Sequence, residues 1–228
     1  MKYCLFFMIV LFSITFPGGG IQAREVDRIN AAIEVLYDLT QIPERRVFFN
    51  LLEDSEGVAV FPRVYRLGIM LGLQYGEGLV MRRDPETKSW YGPSFARIYG
   101  VSYGPQMGIQ TSRLVLLIMD QAGMEVFYED GIKLGGNVSI AAGPVGRSLS
   151  AEVDLALRSS IYSYSISRGL FIGISLEGAQ LREDRDANHR YFGYNLSPQD
   201  ILTGRHPVEP AAQNLARFLE ELATGQRR

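Results

Sequence analysis

Val58-Ala59-Val60-Phe61, Leu67 to Leu73 and Leu79 to Arg82 are three short apolar stretches, rich in β-branched residues and leucine, lying between Gly57 and the polar Asp84. The first ends at Pro62, and Gly76-Glu77-Gly78 separates the last two. Short apolar runs punctuated by glycine and proline read as strands, so this stretch predicts strands joined by a turn or bulge at Gly76-Glu77-Gly78. Ala96 to Gln110 and Ser112 to Met119 continue the pattern. Leu114-Val115-Leu116-Leu117-Ile118 is apolar on both faces, which places it centrally in a sheet. Further on, Val138 to Ala142, Ala151 to Leu157, Ile161 to Ile166 and Leu170 to Leu176 read as strands. Period-two alternation puts Tyr162, Tyr164 and Ile166 on one face and Ser163 and Ser165 on the other.

Outward from this block the periodicity becomes helical. Before it, Val26, Ile29, Ile33, Leu36 and Tyr37 share one face of a helix over Glu25 to Leu39, with Asp27, Arg28, Asn30, Glu34 and Asp38 opposite. Pro43 suits the first position of a second helix through Arg45, Arg46, Phe48, Phe49, Leu51 and Leu52, closed by Gly57. Asp120 is a candidate N-cap for a short helix running to Tyr128. After the strands, Asp184 to Tyr191 is polar and helical or coiled, and Pro210 to Ala223 aligns Leu215, Phe218, Leu219 and Leu222 on one helix face. Strands clustered in the middle with N-terminal and C-terminal helices predict an α+β domain. Glycines within the strands predict a strongly curved, mainly antiparallel sheet, barrel-like or sandwich.

The first residues have another character. Lys2, the apolar run Tyr3 to Phe16, Pro17-Gly18-Gly19-Gly20 and Ala23 form the pattern of a signal peptide cleaved after Ala23. The run is shorter than the roughly 20 apolar residues of a bilayer crossing. The expectation is an exported protein of the periplasm or cell envelope, with residues 1–23 a leader and 24–228 a single domain. The one cysteine, Cys4, lies inside the leader, so the mature chain folds without disulfides. A chain of this length has enough core to do so. The net charge is −2, far from the basic balance that nucleic-acid binding requires.

Residue chemistry assigns no catalytic role. Gly173-Ile174-Ser175-Leu176-Glu177-Gly178 lacks the spacing of a nucleophile elbow, and no phosphate-binding loop or dinucleotide fingerprint occurs. The only histidines, His189 and His206, have no ligand spacing for a metal. Neither a cofactor nor a metal is expected. Glu183, Asp184 and Asp186, interleaved with Arg182, Arg185 and Arg190, read as a solvated ion-pair surface.

Six segments together resemble one known family, the SYLF domain. They are Gly57 to Pro62, Tyr75-Gly76-Glu77-Gly78, Trp90 to Phe95, Gly104 to Gln110, Ala141 to Arg147 and Tyr162 to Gly173. They occur in the family's order over most of residues 25–224. The resemblance implies a non-enzymatic protein that binds lipid or an anionic membrane surface, with a second possibility of a protein-binding scaffold like the family's actin-binding members. An envelope protein is then a possible partner. The family's basic amphipathic segment at the start of the domain is altered here, because Arg24 and Arg28 are outnumbered by Glu25, Asp27, Glu34 and Asp38. Candidate lipid-binding residues are Arg45 and Arg46, then Arg82 and Arg83, with Trp90 and Tyr91 between glycine-rich turns, and the helix face of Val26, Ile29 and Ile33. That helix face has a competing fate, packing on its own sheet, as amphipathic helices of globular domains do.

Overall fold

The computed structural model describes residues 19–42, 46–136, 138–145, 159–167, 170–204 and 209–225. Its elements are, in order, helices α1 (Gly19–Thr40) and α2 (Arg46–Asp54), strands β1 (Gly57–Arg83) and β2 (Trp90–Ile118), helix α3 (Gln121–Glu125) and strands β3 (Ile132–Lys133) and β4 (Ile140–Ala142). Strands β5 (Ile161–Ser167), β6 (Leu170–Gly173) and β7 (Gln180–Glu183) follow, then helices α4 (Arg185–Phe192), α5 (Pro198–Leu202) and α6 (Pro210–Ala223). The fold is α+β, a strongly curled and mostly antiparallel sheet with helices at both ends of the chain, as the pattern of the sequence predicts.

The sheet is built on one long ribbon. β1 and β2 pair antiparallel from Gly57↔Ile118 to Arg83↔Trp90, so the separate strands read on either side of Gly76-Glu77-Gly78 are one strand. Straight, the 27 residues of β1 would span about 90 Å. Instead the strand curls until its ends meet, and the Arg83 N–H donates to the Glu56 carbonyl at 2.7 Å. Register shifts at Phe61/Val64, Ile69/Met70 and Val80/Arg82 supply bends. Gly76 and Gly78 supply the close approach: a Cβ on Gly76 would lie 2.8 Å from Val64 Cγ2, and one on Gly78 2.4 Å from the Val60 carbonyl oxygen. These glycines are needed because two lengths of one strand press together there, and no turn is made.

β2 also pairs with β5 and β7, β6 and β3 extend the edges, and β4 runs parallel to β5 as the one exception to the antiparallel order among the described residues. The ladder gives each face its own core. On the convex face, Val58, Val60, Leu79, Met81, Val115, Leu117, Tyr162 and Tyr164 pack against α1, α2, α4 and α6. The concave face encloses Ala59, Phe61, Val64, Leu114, Leu116 and Ile118, closed by Met124 of α3 and Leu202 of α5.

Local chemistry explains the helix ends. Asp120 accepts from the Gly123 N–H at 2.8 Å and caps α3, as its position in the sequence predicts. Asp184 caps α4, which closes on Gly193 at φ 80°. α1 begins at Gly19, ahead of the predicted start at Glu25. Pro43, Arg45 and the predicted strand Ala151 to Leu157 lie outside the described residues. β5 is a strand as the alternation predicts, but burial does not distinguish its two faces, since the serine side is as buried as the tyrosine side. β4, β6 and the chain after β6 surround it, and the Ser163 hydroxyl donates to the carbonyls of Ala141 and Ile174.

Candidate binding site

α1 lies across the convex face, and its polar side is tied to the sheet by ion pairs that span much of the chain. Arg28 is buried, with one guanidinium nitrogen 3.0 Å from Asp184 Oδ2 and the other 2.9 Å from Glu77 Oε2. Its plane stands 5.2 Å from the Phe95 ring centre. Arg97 reaches the other Asp184 oxygen at 2.7 Å, so this fully buried carboxylate is held by two arginines as well as by the cap of α4. A charge taken out of water is tolerable only with such partners. Arg190 of α4 holds Glu25 of α1 through two hydrogen bonds, at 3.0 and 2.7 Å.

Glu77 is the one carboxylate in β1. Burial pushes its pKa up, but the Tyr75 hydroxyl, Arg28 and Arg24 outweigh that and hold it below the usual value. The Tyr75 hydroxyl donates to Glu77 at 2.7 Å. Burial, together with that bond, pushes Tyr75 up to about 12.

Between α1 and the ribbon lies an open cleft of about 1080 Å³. On the α1 side it is lined by Arg24, Arg28, Asp27, Glu34 and Asp38, and on the sheet side by Arg63, Glu77 and Arg113 with Tyr65 and Tyr75. Arg113 pairs with Asp38 at the far end of α1. The walls carry equal numbers of both charges, a surface for a mixed-charge ligand and a poor one for an acyl chain.

The residues singled out in the sequence do not converge on this cleft. Ile29 is fully buried, and Val26 and Ile33 pack partly buried against the same helix-covered core. Trp90 is buried in that core as well, and the Arg83 guanidinium lies 5.8 Å from its ring centre and donates to the Glu53 carbonyl at the end of α2. Arg82 is near Asp84 at 4.0 Å, and Tyr91 is half-buried with its ring against Gly204. Arg46 is exposed at the first position of α2, about 10 Å along the helix from Glu53. Arg45 and His206 lie outside the described residues.

The cleft residues that periodicity missed, Arg63, Tyr65, Tyr75 and Arg113, come from separate parts of the ribbon. One signal was available, a lone glutamate in an otherwise apolar and basic strand. The cluster read as a solvated ion-pair surface is corrected at Asp184, which is wholly buried because it serves α4, Arg28 and Arg97 at once. Among the described residues no group of three or more His, Cys, Asp or Glu could hold a metal ion, and no helix is long and apolar enough to cross a membrane.

Residues 99–222 match the family described as Las17-binding protein actin regulator. The chain is 34% identical over 194 residues to SH3 domain-containing YSC84-like protein 1 of Rattus norvegicus, covering 82% of this chain and 56% of the relative. It is 35% identical over 176 residues to Protein YSC84 of Saccharomyces cerevisiae, covering 76% and 37%. With LAS seventeen-binding protein 3 of the same yeast the identity is 34% over 181 residues, covering 78% and 39%. The chain thus spans between about a third and just over half of the length of these relatives.

Proposed function

Since the chain belongs to the Ysc84 (SYLF) family, we propose that it is a non-catalytic interaction module that binds another protein along the cleft beneath α1. The observation that carries this reading is the composition of the cleft: four arginines, four carboxylates and two tyrosines around an open space of about 1080 Å³. A polypeptide offers charges of both signs and backbone groups to such walls, whereas an acyl chain offers nothing to Asp27, Glu34 and Arg63, which make no ion pair among the described residues. The names of the relatives, a Las17-binding regulator and a LAS seventeen-binding protein, are those of proteins that bind proteins. Asp27 and Glu34 are exposed on the cleft side of α1 and so can meet a partner directly.

A photo-crosslinking residue at Glu34, activated in the native host, tests this. We expect one reproducible crosslinked protein, and the charge reversals Asp27→Lys and Arg63→Glu together should reduce its yield at least tenfold with the melting temperature unchanged. Crosslinks to lipid alone, or a yield indifferent to the reversals, would overturn the reading.

The leader-like pattern of residues 1–23 supports an exported location, in which the partner is an envelope protein and not a cytoplasmic one. N-terminal sequencing of the protein from its host should begin at Arg24, and an intact Met1 would remove the export reading.

A further inference from the structure

The charges that line the cleft fall into two groups. Most are satisfied within the molecule: Arg24 and Arg28 hold Glu77, Arg28 also holds Asp184, and Arg113 pairs with Asp38. Three are not. Asp27 and Glu34 on α1 and Arg63 on the sheet side are exposed and make no ion pair among the described residues.

The two carboxylates mark out a distance along one wall. They are seven residues apart, two turns of helix, so they share a face of α1 and stand about 10 Å apart along its axis. Between them on that face lies Ala31, half-buried and too short to fill the gap. On the opposite wall, Arg63 stands in the register shift between Phe61 and Val64, where the ladder of β1 with β2 is interrupted. A bulge of this kind re-aims the side chain it carries.

We infer that the partner's segment in the cleft is basic on one side and acidic on the other, with two arginine or lysine side chains about 10 Å apart against Asp27 and Glu34 and a carboxylate facing Arg63. This rests on the protein-binding reading and adds to it the chemistry of the partner. Two backbones place side chains at that distance on one face. A polyproline II segment, at about 3.1 Å per residue and three residues per turn, does so with basic residues three apart. An α-helix does so with basic residues seven apart. A β-strand does not, because residues three apart point to opposite faces and residues two or four apart stand about 7 or 13 Å from one another. Each exposed ion pair changes an affinity by no more than about fivefold, so recognition needs the three charges together.

A library of random twelve-residue peptides displayed on phage and panned against the full chain tests the inference. The recovered peptides should hold pairs of basic residues three or seven positions apart at least threefold more often than pairs two or four apart. Against the chain carrying Asp27→Lys and Glu34→Lys, both at exposed positions and so expected to keep the melting temperature, the basic pairs should fall at least tenfold and acidic residues should replace them. Arg63→Glu should remove the acidic residue from the recovered peptides and leave the basic pair. No enrichment, enrichment of aliphatic or wholly acidic peptides by the wild type, basic pairs without preferred spacing, or basic pairs retained by the folded double variant would each overturn it. A protein crosslinked at Glu34 alongside a library without basic pairs defeats this inference and leaves the protein-binding reading standing, whereas failure of both experiments defeats that reading as well.

Discussion

The β1–β2 ribbon carries the same kind of apolar side chain at its turn and at its bend, with opposite outcomes. At the turn, Leu79, Met81 and Trp90 lie under the helices, and Arg83 is tied to the end of α2. At the bend, Leu67, Leu73 and Val101 stand in the open. Strand pattern alone does not separate the two ends. What separates them is the reach of the helices, and above all of α1, which is anchored at Glu77 and at Arg113; among the described residues no helix buries Leu67, Leu73 or Val101.

The largest expected effect breaks the covered end. Trp90→Ala should destabilise the fold by about 3–5 kcal/mol, through lost burial and the cavity left under the helices. Leu73→Ala, at the bare end, should stay within about 0.5 kcal/mol of wild type. Chemical denaturation of the two variants side by side measures the contrast, and a costly Leu73→Ala would show that something covers the bend.

A smaller loss is expected where α1 is fastened. Arg28→Met removes one partner from the buried Asp184 and one from Glu77, while Arg97 and Arg24 remain. Breaking a buried pair costs about 3–5 kcal/mol, and the remaining arginines should keep the loss near the lower figure, about 3 kcal/mol. Denaturant unfolding gives the value. Amide exchange across α1 should accelerate in the same variant, and unchanged protection there would mean that apolar packing alone holds the helix.

The smallest effect is a dependence on pH. The Glu77 carboxyl titrates below its ordinary value in the folded protein, so its contribution to stability is present above that ordinary value, about 4.5, and is lost as the pH falls through the folded one. The melting temperature of the wild type should therefore drop more steeply below about pH 4.5 than that of Glu77→Gln. Parallel acid profiles would show that Glu77 does not stabilise the junction of α1 with the ribbon.

Much of this architecture is legible before folding. The 3.6-residue rhythm of Ile29, Ile33 and Leu36, the two-residue rhythm of Tyr162, Tyr164 and Ile166, and the cap at Asp120 each lie within a few residues of chain, where propensity and spacing act. They determine helices at the ends, strands between, and hence the α+β class. Gly76-Glu77-Gly78 reads as a turn or bulge for a physical reason: a missing Cβ serves a turn, a bulge and a close approach equally well, and only the packing of Val60 and Val64 against these glycines chooses.

The binding surfaces lie beyond such reading. Arg28 meets partners 49 and 156 residues away, and Arg190 meets Glu25 across 165. Burial of Trp90 against exposure of Leu73 depends on where α1 and α2 come to rest. By itself the sequence determined which residues alternate, which are apolar and where Asp120 caps a helix, because those are short-range properties of the chain. Only the tertiary structure decided which apolar face became core and which became surface, and which charges became buried pairs, because desolvation depends on neighbours that the curl of one long ribbon brings together.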